Sequence, residues 1–305
     1  MRIVFLGYGE IGATVLAGIT AVHETALVVT HPTRFSRLNE PHVGIVAADL
    51  ELPVLEARHA REEHVVEAVR AARPDVLVSA NWRTIIPQHV LEIPALLPLN
   101  VHDALLPGYA GFGAVNWAIR NGESRTGLTV HVMDPELDTG PVLWQVTVPI
   151  DDDDTATTVQ QRLLKEYPGA VLAALERAES GVLPVPQTAE GPSFYHRITE
   201  ADTRIDWALP TRRLLDLVRA HSDPFVNAWC LSAGRKLYIK RAARPARPHR
   251  GTPGLVVRHT DGGATVTCGH SWEPGADGIV LLEVRPEDGP PVSATELLRP
   301  GHRLE

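Results

Sequence analysis

The chain has 305 residues, of which 44% are hydrophobic and 22% charged, and it carries a formal net charge of −8. That length suits two domains better than one small core, and the lack of any run of eighteen apolar residues argues against a membrane-spanning helix. The acid excess disfavours a general nucleic-acid binder, because neutralising phosphates needs Lys and Arg on the contact face.

The first residues, MRIVFLGYGEIG, run straight into a strand-like apolar stretch and lack the parts of a signal peptide, so a cytoplasmic protein is expected. Arg2 to Leu6, Ala26 to Val29, Asp75 to Ser79 and Leu97 to Val101 read as buried strands. Ile11 to Thr20 and Glu62 to Ala72 read as amphipathic helices between them. A helix over Ala114 to Asn121 precedes two further strand-like runs, Gly127 to Val132 and Val142 to Ile150. This alternation predicts an α/β fold, a mostly parallel sheet covered by helices.

The Asp151 to Asp154 run precedes a helical stretch over Ala156 to Ser180, where its carboxylates suit the positive end of the helix. A metal site there would lack a second ligand cluster, and Cys230 and Cys268 have no partner at metal-ligand spacing, so free thiols and no metal are expected. Gly181 to Pro192 reads as a linker. A helix over Thr211 to His221 is followed by strand-like runs at Lys236 to Ile239, Leu255 to Arg258, Ala264 to Cys268 and Ile279 to Val284. Short strands between Gly, Pro and Asp turns predict a small C-terminal β-barrel. The expected division is a first domain over 1–185, a linker over 186–205 and a barrel over 206–305. Residues 235 to 250 carry seven Lys or Arg and no acid; a solvated strand and linker is preferred there to an RNA contact.

Gly7, Gly9 and Gly12 form GxGxxG between the first strand and the first helix, as a dinucleotide-binding turn requires. That fingerprint also needs an acid at the end of the second strand, which here ends in Thr30 and His31. A tight strand-to-helix turn is the simpler reading, and an NAD(P)-dependent oxidoreductase is the alternative from a different reaction class.

Asn100 and His102 are two residues apart in PLNVHDALL, which turns both side chains to one side of a strand near its carboxyl end. Ligands bind at that end of open α/β sheets. Asp134 and Asp138 fall in a turn between two later strands, within reach of His102. An Asn, a His and a carboxylate at one sheet end form a set for acid/base work and oxyanion stabilisation.

These residues resemble the 10-formyltetrahydrofolate-dependent formyltransferases, whose signature is Asn-x-His at a strand end, then Leu-Leu-Pro and later Asp-Thr-Gly. The matches are Asn100, His102, Leu105, Leu106, Pro107, Gly111, Gly122, Glu123, Gly127, Met133, Asp134, Asp138, Thr139 and Gly140. Ile205, Asp206 and Trp207 resemble the opening of the family's second domain, and Leu297 to Leu304 its close. The resemblance implies a doubly wound formyltransferase domain followed by an open, OB-like barrel. It implies catalysis by Asn100, His102 and Asp138, with no metal. It places Ser79, Ala80, Asn81, Trp82, Arg83, Ile85, Asp134 and Leu137 against the cosubstrate 10-formyltetrahydrofolate, and Tyr8, Gly9, Tyr109, Phe112 and Trp117 against the acceptor.

The family's usual Ser after Asn-x-His-x is Ala104 here, and the Arg of its Tyr-Arg-Gly element is Ala110. The segment His31 to Pro41 is short and only mildly basic beside the loop of the enzymes that formylate initiator methionyl-tRNA. These departures point to a small-molecule amine as the partner, and the branch that formylates N5-hydroxyornithine in siderophore biosynthesis is the most similar. Methionyl-tRNA is the alternative acceptor.

Overall fold

The computed structural model describes residues 1–32, 42–260 and 262–305. Most of the segment His31 to Pro41 therefore lies outside the described residues. Contacts divide the chain into two compact units, one of residues 1–111, 126–149 and 161–195, the other of residues 112–125, 150–160 and 196–305.

In the first unit, β1 (Arg2–Gly7) is buried from Ile3 onward because helices and neighbouring strands cover its whole apolar run. It leads into α1 (Gly9–Thr20), which buries Gly12, Ala13, Val15, Leu16 and Ile19 along one stripe. A Cβ on Gly12 would lie 2.8 Å from Val43 Cγ2 and 3.1 Å from the Gly7 carbonyl carbon, so the glycine-rich turn meets a packing need of its own. β2 (Glu24–Thr30), α2 (Val43–Asp49), β3 (Val54–Glu56) and α3 (Glu63–Ala72) follow. The last of these ends at Arg73, left-handed at φ 47°, immediately before Pro74. β4 (Val76–Ala80), the short α4 (Gln88–Leu91), β5 (Leu97–His102), β6 (Ala110–Gly111), β7 (Arg125–Val132) and β8 (Val142–Pro149) complete the strands up to residue 149. The sheet order is β3-β2-β1-β4-β5-β7-β8. The strands from β3 to β5 run parallel, whereas β7 pairs antiparallel with β5. The carboxyl ends of β1, β2, β4 and β5 thus share one edge, the ligand-binding edge of such sheets.

α5 (Ala114–Asn121) lies between β6 and β7 in the chain, and α6 (Ala156–Glu179) follows β8. Before α6, the Asp154 carboxylate accepts from the Asp151 N–H (2.8 Å) and the Thr158 hydroxyl (2.8 Å). That turn is anchored in the second unit by Arg219, which donates to the carbonyls of Asp151 and Asp154, and by an Arg212–Asp152 ion pair of 2.7 Å. The acidic run therefore builds a side-chain-linked turn and joins Arg residues. Among the described residues no group of His, Cys, Asp or Glu is arranged to hold a metal, and no helix is long and apolar enough to cross a membrane.

After β9 (Phe194–Tyr195) and a 3-10 turn (Glu200–Thr203), α7 (Thr211–Ala220) buries Leu214, Leu217 and Val218. β10 (Ala228–Ser232), β11 (Arg235–Ala243), β12 (Val256–Thr260), β13 (Gly263–Val266), β14 (Ile279–Pro286) and β15 (Val292–Ser293) form an antiparallel sheet, followed by α8 (Ala294–Leu297). Its order is β10-β11-β14-β13-β12, with β15 also on β14. The chain end bridges Ser232 to Leu304 and Leu255 to Arg303, so one tail pairs at both outer edges and closes the sheet towards a barrel. Both cysteines are buried and free, and burial pushes the Cys230 thiol up to about 12, where it stays protonated and unreactive.

His221, just after α7, is 1% exposed and neither ring nitrogen has a hydrogen-bond partner. Burial first, then the Arg120 charge, push its pKa down from 6.5 to about 4, against a weaker opposing effect of Asp202. The unfolded chain therefore binds more protons than the folded one between pH 6.5 and 4, and stability falls as pH drops through that window. The shift corresponds to about 3 kcal/mol when fully developed. His31 is pushed down to about 4 in the same sense and adds to the effect. In urea titrations at pH 7 and pH 5, His221→Leu should lose less stability on acidification than the parent. Equal losses would remove His221 from this account.

Candidate active site

In the β5·β7 ladder Asn100 stands opposite His131 and His102 opposite Thr129, which puts all four on one face. Thr129, fully buried, donates to the Ala104 carbonyl (2.6 Å) and accepts from the Leu106 N–H (3.1 Å). Gln145 of β8 donates to the Leu106 carbonyl (2.8 Å) and to the Thr129 hydroxyl (2.9 Å). These bonds pin the chain as it leaves His102.

Asp138 arrives from the loop after β7 with φ 59°, a left-handed conformation that a non-glycine residue adopts only when its surroundings enforce it. Gln187 supplies that enforcement by donating to the carbonyls of Asp138 (2.8 Å) and Gly140 (2.9 Å), and Val185 pairs with Val142 through two 2.7 Å backbone bonds. The segment expected to be a linker thus holds the loop. Within that loop Asp134 accepts from the Thr139 hydroxyl (2.7 Å) and the Glu136 N–H (3.1 Å).

The Asp138 carboxylate is 6% exposed. Its Oδ2 accepts from the Gly111 N–H at 2.9 Å and lies 3.6 Å from His102 Nδ1; its Oδ1 lies 3.5 Å from His131 Nε2. Burial alone would push this carboxyl up, but the His131 ring beside it, the His102 charge and the Gly111 N–H together hold it below the usual carboxylate range. Asp138 is therefore a buried anion near neutral pH. His102 donates from Nε2 to the Tyr109 carbonyl (2.9 Å), and its Nδ1 also lies 3.8 Å from Asp103.

Tyr109 is left-handed at φ 61° and donates its N–H to Ser193 (2.9 Å), while its ring stacks on Tyr195 at 4.9 Å. β6 pairs with β9 beside it. A Cβ on Gly111 would come within 2.4 Å of the Tyr195 carbonyl oxygen, so this backbone can reach Asp138 only as glycine.

The other residues expected to bind fall into separate groups. Ser79 and Ala80 are buried at the end of β4. Asn81, at φ 57°, donates to the Tyr8 carbonyl (3.0 Å). Trp82 stacks on His31 at 3.8 Å, Arg83 donates its N–H to His31 Nε2 (3.2 Å), and the Arg83 guanidinium lies 5.8 Å from the Tyr8 ring centroid. Tyr8, 1% exposed, meets His31 edge-on, and Gly9 begins α1 at φ 62°. Where a dinucleotide fold would carry its ribose-binding acid, His31 is committed to Ala57 and Arg83. Ile85 and Leu137 are apolar yet 82% and 47% exposed. Phe112 and Trp117 belong to the second unit. There Trp117 is buried with its Nε1 donating to the His196 carbonyl (3.2 Å), and the Arg197 guanidinium sits over Phe112.

Sequence reasoning missed His131, Thr129, Gln145 and Gln187. The signal for the first two was their alternation in an otherwise apolar buried strand, since polar groups there need partners. Nothing local marked Gln145 or Gln187.

Residues 1–175 match the formyl transferase family and residues 197–301 match the formyl transferase C-terminal domain. Methionyl-tRNA formyltransferase of Chloroflexus aurantiacus is 33% identical over 308 residues, covering 99% of this chain and 97% of that protein. The fold is similar to that of the sugar 3N-formyl transferase WlaRD (TM-score 0.69, 17% identity, 95% of this chain and 99% of that one). It is also similar to HypX from Aquifex aeolicus in complex with tetrahydrofolic acid (TM-score 0.64, 22% identity), where it covers 98% of this chain and about half, 47%, of that one. The matched domains, joined to a half-buried Asn100 with buried His102 and Asp138 at the carboxyl edge of the sheet, place this chain in the formyl transferase family.

Proposed function

We propose that the enzyme transfers the formyl group of 10-formyltetrahydrofolate to an amine through Asn100, His102 and Asp138. The observation that carries this reading is the buried, ionised Asp138 beside His102, with Asn100 on the same sheet face. The uncharged amine attacks the formyl carbon, a C–N bond forms, and the carbonyl oxygen becomes an oxyanion. Asp138 accepts the proton that the amine must lose, and the proton passes to the folate nitrogen as its bond to carbon breaks. Asn100 and His102 donate to the oxyanion; His102 does so with the Nε2–H that the Tyr109 carbonyl holds in the free enzyme. Ser79, Ala80, Asn81, Trp82, Arg83, Ile85, Asp134 and Leu137 bind the folate in this reading, and Tyr8, Gly9 and Tyr109 serve the acceptor. The cytoplasm is the compartment where the reaction is set.

The relatives' name supports methionyl-tRNA as the acceptor, and this is the first reading. A small amine such as N5-hydroxyornithine, in siderophore biosynthesis, is the second. The favouring observation is that five of the seven Lys and Arg of residues 235–250 pair with carboxylates within the protein. Arg235 pairs with Asp288 (2.6 Å), Lys236 with Glu200 (2.6 Å), Lys240 with Asp223, and Arg244 and Arg250 with Asp277 (3.7 Å each). Such pairing leaves less positive charge for phosphates.

Incubating the protein and 10-formyltetrahydrofolate with methionyl-tRNA, hydroxyornithine, ornithine and an aminosugar nucleotide, and reading the mass gain of one formyl group, separates the two. A tRNA acceptor predicts a KM that rises steeply with salt through counterion release. It also predicts a strong loss when Lys240, Arg241, Arg244 and Arg247 are replaced together by Ala. A small amine predicts weak salt dependence and little change in that variant. No formyl gain on any amine would defeat both readings.

A further inference from the structure

We propose that His131 is a positioning residue of the formyl-transfer site, presenting a single ring nitrogen either to the Asn100 amide or to the Asp138 carboxylate. His131 is 2% exposed on β7. Its Nδ1 lies 3.0 Å from the Val132 carbonyl. A carbonyl only accepts, so that nitrogen carries a hydrogen and donates. This leaves Nε2 as the variable atom. Nε2 lies 3.2 Å from Asn100 Nδ2 and 3.5 Å from Asp138 Oδ1.

The two neighbours make opposite demands. The amide NH2 only donates and the ionised carboxylate only accepts, so one Nε2 cannot satisfy both. Without a proton, Nε2 accepts from Asn100, fixes the direction of that NH2 and leaves its second hydrogen to donate to an oxyanion. With a proton, Nε2 donates to Asp138 and releases the amide. When Asp138 takes the proton of the attacking amine, its new O–H can donate to the unprotonated Nε2. The ring thereby links the group that takes the proton to the group that binds the oxyanion.

The buried setting makes this linkage matter, because an unpaired polar atom there is costly. Among the described residues, the charged group against His131 is Asp138 from the loop after β7, whose other carboxylate oxygen lies against His102 at the end of β5, with Asp103 beside that second ring. Asn100 is held opposite His131 by the strand register, so the contact is built into the sheet.

This inference rests on the proposed reaction, and the test separates its failure from that of the reaction. His131→Gln keeps a group that can accept from Asn100 and donate to Asp138 but does not titrate, whereas His131→Met keeps the bulk and loses the polar contacts. With 10-formyltetrahydrofolate and the amine found by the mass assay, His131→Met should lower kcat about 10- to 100-fold, a range typical of outer partners that orient active groups. KM for the folate should change less than about twofold, since removing an interaction made only in the transition state spares KM. His131→Gln should restore most of the kcat but flatten the pH profile. Equal loss in both variants, or a parental kcat and pH profile in both, would overturn the proposal. A second measurement needs no turnover: in protein labelled with 15N-histidine, the His131 ring should show hydrogen on Nδ1 and not on Nε2 when neutral, and its Nε2 signal should move in Asn100→Ala. Hydrogen on Nε2 in the neutral ring, or an unmoved signal, would refute the assignment even if the enzyme transfers formyl groups.

Discussion

His102→Ala lowers kcat for formyl transfer by about 10²- to 10⁴-fold, the range for removing a positioned acid or an oxyanion donor, and leaves the chain folded. The ring is 7% exposed, but it borders polar groups, Asp138, Asp103 and the Tyr109 carbonyl. Asn100→Ala should cost about 10²- to 10³-fold by the same oxyanion argument. Neither change touches the residues proposed to bind the folate, so folate analogues should still raise the melting temperature by binding the native state. NAD should not, because His31, committed to the Ala57 carbonyl, stands where the acid that binds its ribose would be needed. Measuring kcat beside folate-induced thermal shifts tests both halves. A variant that loses folding but, when folded, turns over normally would make His102 a structural residue. Tight NAD binding without a folate effect would remove the folate reading.

Gly140→Ala is expected to damage the site through the backbone. A Cβ there would sit 1.8 Å from the Val132 carbonyl oxygen, a distance that no side-chain rotation relieves. The loop must move, and with it Asp138, two residues away and held left-handed by the Gln187 bonds to both carbonyls. Overpacking of this kind costs about 1–3 kcal/mol, which lowers the melting temperature of a chain this size by roughly 2–10 °C. Misplacing a catalytic group by about 1 Å can cost on the order of 10²-fold in rate. The activity loss measured well below the new melting temperature should therefore exceed what the unfolded fraction explains. Gln187→Ala leaves the backbone room intact and removes only the two bonds, so it should show a milder version of the same kinetic defect. If Gly140→Ala kept both parental kcat and melting temperature, the close approach of the loop to the Val132 carbonyl would be refuted.

The strands and helices of the first half were legible because burial on both sheet faces writes near-continuous apolar runs, and α1 and α3 carry helical stripes. Short elements were not legible: α2, α4 and β3 are too brief for a period to emerge. β10 was missed because its AWCLS run carries little alternation, and its place is set by pairing with β11.

The sequence by itself determined that Asn100 and His102 share a face, because side chains alternate along any strand, and its motif spacing pointed to Asp138. Only the tertiary structure decided the rest. Asp138 is poised between two histidines because β7 turns antiparallel against β5 and brings His131 opposite Asn100. The Gly111 N–H reaches the same carboxylate through the β6·β9 pairing, and Gln187 locks the loop from a segment that reads as a linker. The cations of the basic stretch find carboxylates as distant in sequence as Glu200 and Asp288. Apart from that of His131 with Asp138, these contacts join residues far apart in the chain through hydrogen bonds and charges that have no local period, so the sequence can mark a buried polar group but cannot name its partner.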